Sequence, residues 1–306
     1  MTSNSSPLVS TSWLADHLHD PDLRLVAVRW KFRQENGRGI AYDDRQEYLD
    51  AHIPGAVFVG MASELSDPDH PVADMMVGPE VFTDVMQRLG ISPGTHVVVY
   101  DDSGLPLAAA RLWWALSLYG HDNVHVLDGG LLQWKQEGRT LVSEDPVVSP
   151  GTFEANLRPG WLAKKSDVLR AIDAPKTTII DCLANELFRG RQDHTWGGRA
   201  GHVPGAINIP AVSNLDPSFE FTSMAERAEL MKERGSYCLG AREELEKFYS
   251  GKGVDPNAEI ITYCGRGIAA SCGLLTLRHL GFAKSRLYDG SWAEWSADPA
   301  LPVETS

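Results

Sequence analysis

The chain has 306 residues, of which 43% are hydrophobic and 23% charged, the balance of a soluble globular protein of about two domains. Its formal net charge of −13 argues against nucleic-acid binding through general electrostatics. The N-terminus lacks a signal-peptide pattern, no apolar run approaches the ~20 residues of a membrane span, and the four cysteines form no Cys-x-x-Cys pair typical of zinc sites. We therefore expect a cytoplasmic protein with free thiols, no metal, and no nucleic-acid or membrane partner.

Three segments recur in the same order in the two halves of the chain. The matches pair residues 51–59 with 201–209, 96–104 with 259–267, and 126–134 with 287–295. They read AHIPGAVFV and GHVPGAINI, then HVVVYDDSG and EIITYCGRG, and finally VLDGGLLQW and LYDGSWAEW. Because all three share one order and similar separations, the sequence predicts an internal duplication.

Strands alternate with helices in each half. The runs HVVVYD and EIITYC are short, apolar and rich in β-branched residues, which is typical of strands buried on both faces of a parallel sheet. Each is followed by an apolar helical segment that stops at a glycine, over residues 106–120 and 268–281. This alternation predicts an α/β fold. Residues 142–160, which carry three prolines and two glycines, are expected to form a linker.

Together these segments resemble the rhodanese superfamily in its two-domain sulfurtransferase form. The resemblance runs from Leu8 to Val303 and is carried by HIPGAVF, YDDSG and LDGGLLQW, then by GHVPGAINIP, YCGRGIAAS and LYDGSWAEW. It implies two tandem rhodanese-like domains, each a mostly parallel sheet flanked by helices, at residues 8–141 and 161–304. It also implies a non-catalytic first domain and a second domain that bears a catalytic cysteine. Such proteins move a sulfane sulfur from thiosulfate or 3-mercaptopyruvate to cyanide or a thiol acceptor.

Cys264 lies where a predicted strand meets a predicted helix. Main-chain N–H groups at that junction can turn toward the sulfur, and together with the helix dipole they favour an anion. We expect the thiol pKa to be lowered from ~8.5 into the range ~3.5–7.5, so that the thiolate attacks the donor and carries a persulfide. This covalent chemistry needs no cofactor. The loop residues expected to bind substrate and persulfide are Gly265, Arg266, Gly267, Ile268, Ala269 and Ala270.

The first half carries Asp101 at the position that corresponds to Cys264. A carboxylate cannot carry a sulfane sulfur, so we expect the first domain to be non-catalytic and to form one wall of the site cleft. The remaining cysteines, Cys182, Cys238 and Cys272, are expected to serve packing.

Histidines and tryptophans in the repeated segments are expected to be structural. His52 and His202 occur in both halves, including the half that lacks the cysteine. The tryptophans expected to pack in the core are Trp113, Trp114, Trp134, Trp292 and Trp295.

The loop Cys-Gly-Arg-Gly-Ile-Ala shares features with the loops of two classes of sulfurtransferase, which differ in their sulfur donor. Gly265 matches the mercaptopyruvate-type loop Cys-Gly-Ser-Gly-Val-Thr, whereas Arg266 stands where the thiosulfate-type loop Cys-Arg-Lys-Gly-Val-Thr has lysine. Leu183 and Leu187 replace the arginines that bind a substrate carboxylate in the family. The charged loop therefore favours thiosulfate, with 3-mercaptopyruvate as the alternative. The arginines that could bind substrate instead are Arg189, Arg191 and Arg199.

Two further functions fit parts of the pattern. A persulfide carrier would use the same loop and deliver sulfur to a protein partner. A cysteine phosphatase would need the spacing Cys-x5-Arg, but that position is Ala270 and the loop is one residue too short.

Overall fold

The computed structural model describes residues 6–35, 38–192, 194, 198–221 and 224–305. The first half contains β1 (Leu8–Val9), α1 (Thr11–His17), β2 (Leu23–Arg29), β3 (Lys31–Glu35), β4 (Arg38–Tyr42), α2 (Arg45–Asp50), β5 (Val57–Gly60), α3 (Met61–Glu64), α4 (Pro79–Arg88), β6 (His96–Tyr100), α5 (Leu107–Leu118), β7 (Val124–Leu127) and α6 (Gly130–Gln136).

The second half repeats the alternation of strands and helices. It contains β8 (Leu162–Ala163), α7 (Lys165–Ala171), β9 (Thr177–Asp181), α8 (Asn185–Phe188), β10 (Ile207–Asn208), α9 (Met224–Arg234), α10 (Arg242–Gly251), β11 (Glu259–Tyr263), α11 (Ile268–His279), β12 (Ser285–Tyr288) and α12 (Ser291–Ala297). Short 3-10 helices cover Pro159–Trp161, Ala211–Asn214 and Pro217–Phe221.

The two main sheets share one topology. Each has five strands, in the order β1-β7-β6-β2-β5 in the first half and β8-β12-β11-β9-β10 in the second. All neighbouring strands in both sheets are parallel. The identical order confirms the predicted α/β fold and the tandem arrangement. The first half adds an antiparallel hairpin of β3 and β4.

The central strands are apolar throughout because both of their faces are covered. In β6, Val97 and Val99 belong to one buried cluster, whereas Val98 and Tyr100 belong to another. In β11, Ile260 and Ile261 divide in the same way between two clusters. Burial on both faces explains why these strands appear in the sequence as continuous β-branched runs rather than as alternating ones.

Helices α5 and α11 pack against each other and join the two halves. One apolar cluster includes residues of both helices, so the halves share a continuous core. The expected packing role of the tryptophans is confirmed, because each is at most 3% exposed: Trp113, Trp114, Trp134, Trp292 and Trp295.

The segment expected to be a linker lies along the first half. The Gly151 N–H donates to the carbonyl of Gln87, and the Phe153 N–H donates to the carbonyl of Ile91. The Phe153 ring is buried in the shared core. The domain limits at residues 142 and 160 stay a prediction.

The two histidines of the repeated HxPGA turns contact main-chain carbonyls. Nδ1 of His52 lies 2.7 Å from the Tyr48 carbonyl oxygen, and Nδ1 of His202 lies 2.7 Å from that of Phe188. Each ring also stacks on the side chain of that same residue, Tyr48 or Phe188. These contacts tie the turns to neighbouring helices, as expected for structural residues.

Among the described residues, no helix has the length and apolar character needed to cross a membrane.

Glycine at position 273 sets how closely α11 approaches the sheet. A Cβ added to Gly273 would lie 2.6 Å from the Sγ of Cys182, at the end of β9. We expect Gly273→Ala to lower the free energy of unfolding by about 1–2 kcal/mol, the usual cost of overpacking less the gain in helix propensity. Urea denaturation followed by circular dichroism measures this change.

Cys182→Ala provides the matched background, because it removes the sulfur that the new methyl group would meet. There the same glycine substitution should be neutral or stabilising, since alanine is favoured over glycine in a helix. Equal destabilisation in both backgrounds would contradict the packing of Gly273 against Cys182.

Candidate active site

Cys264 follows the central strand of the second sheet. Strand β11 lies between β9 and β12, and the loop from Cys264 to Gly267 connects it to α11. In open parallel sheets, ligands bind at the carboxyl ends of the strands. The strand order therefore places Cys264 at the edge of the sheet where such sites form.

Main-chain N–H groups converge on the Cys264 sulfur. The N–H groups of Ala270, Arg266 and Ala269 are close enough to Sγ to favour its anionic form, and each lowers the pKa of the thiol. Two of these donors belong to the first turn of α11, whose N–H groups have no partner within the helix. Three of the six loop residues expected around the sulfur thus have amides that act on it, and binding of substrate or persulfide by the loop stays a prediction.

Helix α12 fixes the loop from its other side. The Trp292 N–H donates to the Cys264 carbonyl over 2.9 Å, and the Ala293 N–H donates to the Gly265 carbonyl over 2.9 Å. The Cys264 N–H donates to Oγ of Ser291 over 3.2 Å. Because these bonds turn the loop carbonyls toward α12, the amides that follow are free to face the sulfur.

Gly267 allows the loop to turn into α11. It has a φ of 80°, which lies in the left-handed region that favours glycine. A Cβ at this position would lie 2.6 Å from Nη1 of Arg111 and 2.7 Å from Oδ1 of Asp289. The position thus needs glycine for both its backbone conformation and its close packing.

The acidity of the Cys264 thiol differs from the expectation drawn from the sequence. Its side chain is only 2% exposed. Burial raises the pKa of the thiol, and this effect outweighs the N–H groups of Ala270, Arg266 and Ala269, which lower it. The prediction of a lowered pKa is therefore wrong for this structure, because the contribution of desolvation could not be seen in the loop sequence.

In the first half, Asp101 lies at the position equivalent to Cys264, between strand β6 and helix α5. The Asp101 carboxylate accepts hydrogen bonds from the N–H groups of Ser103 and Ala109, at 3.2 and 3.0 Å. The Leu131 N–H donates to the Asp101 carbonyl, just as the Trp292 N–H donates to that of Cys264. In the first half, a built-in carboxylate thus occupies the place of the sulfur.

Arg266 is engaged by the first half of the chain. Its Nη1 lies 3.0 Å from Oδ2 of Asp74, and the guanidinium lies over the ring of Phe32 in β3, 5.3 Å from the centroid. The Arg266 and Asp74 side chains are 7% and 3% exposed. First-half residues therefore contact the loop after Cys264 directly, and the Arg266 cation of that loop is paired with a carboxylate.

A second buried ion pair joins the halves behind the loop. Nη2 of Arg111, in α5, pairs with Oδ1 of Asp289, which follows β12. The Met76 N–H donates to the other oxygen of Asp289 over 3.2 Å, and Nη2 of Arg111 donates to the Asp74 carbonyl over 2.8 Å. The segment 74–76 is thereby held against the second half.

The three arginines suggested for substrate binding have different surroundings in the structure. The Arg199 guanidinium donates to main-chain carbonyls of Trp295, Ser296, Asp298 and Leu301, which indicates a structural use. Arg189 is half-buried and Arg191 is exposed, both directly after α8.

The other cysteines lie outside this arrangement of amides. Cys182 and Cys272 are buried, and burial raises the pKa of both thiols. Cys238 is half-buried, and burial raises its pKa to about 11.

Sequence reasoning missed two parts of the site. Asp74 lies in an irregular segment and has no counterpart in the repeated motifs, so no local signal pointed to it. The residues at the start of α12, Ser291 to Ala293, were recognised only as repeat and packing positions. The repeat itself contained the signal for them, because VLDGGL supplies the matching bond from Leu131 to Asp101 in the first half.

Comparisons with known proteins agree with the repeat. The family model of the rhodanese-like domain matches residues 10–137 and again residues 164–298. The chain is 36% identical to the 3-mercaptopyruvate sulfurtransferase of Escherichia coli strain K12, over 97% of each chain. It is 31% identical to the thiosulfate sulfurtransferase of Bos taurus, over 94% of this chain and 91% of the other.

A solved structure shows the same fold. The crystal structure of SseA from Escherichia coli, described as a 3-mercaptopyruvate sulfotransferase with the rhodanese fold, aligns with a TM-score of 0.77. It is 32% identical and covers 94% of this chain and 99% of the other. The chain therefore belongs to the rhodanese family. Its two successive domains identify the tandem-domain sulfurtransferase form, which confirms the resemblance seen in the sequence.

Replacing Gly267 with alanine tests how the loop is built. We expect Gly267→Ala to lower the free energy of unfolding by about 1–3 kcal/mol, because it forces an unfavourable φ and a contact with the Arg111–Asp289 pair. Reaction of Cys264 with iodoacetamide, followed by mass spectrometry, should also change in rate as the amides shift.

Gly94→Ala is the control, because a Cβ at Gly94 meets nothing within 4 Å and its φ is not positive. That variant should stay within about 0.5 kcal/mol of the parent protein. Similar stabilities for the two variants would contradict the described loop.

Proposed function

We propose that this protein is a sulfurtransferase that takes sulfur from 3-mercaptopyruvate through a persulfide on Cys264 and passes it to cyanide or a thiol. The observation that carries this proposal is the convergence of main-chain N–H groups on the Cys264 sulfur at the end of β11. Family membership adds support, since relatives that match nearly the whole chain are sulfurtransferases. In this proposal residues 161–304 form the catalytic domain and residues 8–141 the non-catalytic one.

The proposed reaction has two steps. The Cys264 thiolate attacks the sulfur of 3-mercaptopyruvate, an S–S bond forms, and the C–S bond breaks. Its electron pair leaves with the carbon as the enolate of pyruvate, which then takes up a proton. In the second step, cyanide or a thiolate attacks the outer sulfur and the Cys264 thiolate departs. This is covalent catalysis with a nucleophile that is regenerated.

The amides around Cys264 would stabilise the thiolate both when it attacks the donor and when it departs from the persulfide. The thiolate that attacks and the thiolate that departs carry negative charge at the same atom. The N–H groups of Arg266, Ala269 and Ala270 already point at it and need no rearrangement. Fixed donors aimed at a site of developing charge are an effective form of electrostatic stabilisation.

The choice of donor now differs from the one favoured by the loop sequence. Thiosulfate was favoured because Arg266 adds a positive charge, but Asp74 neutralises that charge in the structure. Thiosulfate is a dianion and depends more on such a charge than 3-mercaptopyruvate, a monocarboxylate. The Escherichia coli relative, at 36% identity, is named for 3-mercaptopyruvate. Both observations support 3-mercaptopyruvate, whose carboxylate Arg189 or Arg191 would bind.

Mass spectrometry after donor treatment tests the proposal most directly. Incubation with 3-mercaptopyruvate, without acceptor, should add the mass of one sulfur to the peptide that contains Cys264. Steady-state assays with cyanide should give a higher kcat/KM for 3-mercaptopyruvate than for thiosulfate. A clear preference for thiosulfate would overturn the choice of donor.

Two serine variants complete the test. Cys264→Ser should abolish both the mass gain and turnover, because a hydroxyl cannot form the persulfide. Cys238→Ser is the matched control and should retain both, since Cys238 lies away from the loop. Full transfer by Cys264→Ser would contradict the proposed nucleophile.

A further inference from the structure

We propose that Asp74 determines which sulfur donors the site accepts, according to their charge. Its carboxylate is paired with the Arg266 guanidinium, so an anionic donor must compete with Asp74 for this arginine. The inference rests on the proposed function. It adds that a residue of the first half selects among sulfur donors by their charge at the same site. The observation behind it is the Asp74–Arg266 ion pair, which spans the two halves two residues beyond Cys264.

Burial makes this ion pair significant. The two side chains are only 3% and 7% exposed, whereas surface ion pairs contribute little to stability. In a site of such low solvation, an unpaired charge is costly and strongly affects other charges nearby. Asp74 therefore cancels a positive charge that would otherwise attract anions to Cys264.

The first half holds the Asp74 carboxylate in position. Nε1 of Trp30 donates to Oδ1 over 3.2 Å, which leaves Oδ2 for Arg266. Arg111 donates to the main-chain carbonyl of Asp74 over 2.8 Å. Asp74 also has a φ of 63°, a left-handed conformation that is uncommon outside glycine and better tolerated by Asp and Asn. The carboxylate is thus positioned by bonds that do not depend on Arg266.

Competition follows from this geometry. Cys264 and Arg266 are both enclosed, at 2% and 7% exposure, with Asp74 and Phe32 against the arginine. An anion that binds at the sulfur also enters the field of the Asp74–Arg266 pair, whose arginine lies two residues beyond Cys264 in the same loop. The repulsion grows with the charge of the anion, so a dianion should be disfavoured more than a monoanion, and a neutral reagent not at all.

Alkylation of Cys264 measures this selection without any need for turnover. Iodoacetate and iodoacetamide have nearly the same size, and each reacts with the thiolate by displacing iodide, but only iodoacetate is an anion. The ratio of their rates at one pH cancels any change in thiolate fraction. Quantitative mass spectrometry of the Cys264 peptide gives both rates.

Four proteins give a complete set of expectations. Relative to the parent protein, Asp74→Asn should raise the iodoacetate-to-iodoacetamide ratio by about tenfold, because it removes the negative charge that neutralises Arg266. Arg266→Gln should lower the ratio, because it leaves the carboxylate alone. The double variant should return to the parent ratio. Asn is a close match in shape and tolerates the left-handed φ of residue 74.

Asp69→Asn is the control for a general effect of charge. Asp69 belongs to the same segment and is exposed, so its removal changes the net charge equally without touching Arg266. Its ratio should equal that of the parent protein. If Asp74→Asn fails to fold, Arg266→Gln alone still decides the question, because an unchanged ratio in that variant would overturn the role of Asp74.

The outcomes separate this inference from the proposed function. An unchanged ratio in Asp74→Asn and Arg266→Gln would overturn the role of Asp74, even if the parent protein transfers sulfur normally. Absence of transfer from either donor, with the expected ratios, would overturn the function while leaving the charge selection in place. In the assay with thiosulfate, Asp74→Asn should lower KM by a larger factor than with 3-mercaptopyruvate.

Discussion

The site depends on the direction in which a few peptide groups point. At the end of β11 the loop carbonyls of Cys264 and Gly265 bind the N–H groups of α12, and the amides that follow bind the sulfur. Two helices thus share one loop, because α12 binds the loop carbonyls and the first turn of α11 supplies two of the three N–H groups near the sulfur. The shared core of α5 and α11, the close approach at Gly273 and the turn at Gly267 all serve to hold this orientation.

The first half shows that main-chain N–H groups at the same strand–helix junction can bind a carboxylate instead of a sulfur. Asp101 receives main-chain N–H groups where Cys264 does, and its carbonyl is bound in the same way. Burial raises the pKa of Asp101 to about 6 although the N–H groups oppose this. In both halves, then, amides favour a negative charge that burial disfavours. In the second half, Asp74 and Phe32 of the first half cover Arg266, so the two halves together set the charge of the loop.

Much of this arrangement could be predicted from the sequence because it is local or repeated. The matched segments predicted two α/β units of like topology, and the cysteine between a strand and a glycine-containing helix start predicted the amide contacts. Asp74 could not be predicted, because its role depends on a contact between halves nearly two hundred residues apart in the sequence, at Arg266. The raised pKa of Cys264 was missed for the same reason, since solvent exclusion arises from tertiary contacts. Arg199 carried a charge that suggested substrate binding, but its donors are used by carbonyls around α12.

The Cys264 sulfur lies in an enclosed site where desolvation outweighs the main-chain donors. The pH dependence of Cys264 alkylation by the neutral reagent iodoacetamide tests it most directly, with mass spectrometry to separate this peptide from the other thiols. We expect a midpoint above that of an ordinary cysteine in the absence of a donor. A midpoint at or below the ordinary value would contradict it, because the sulfur would then be either solvated or dominated by the amides alone.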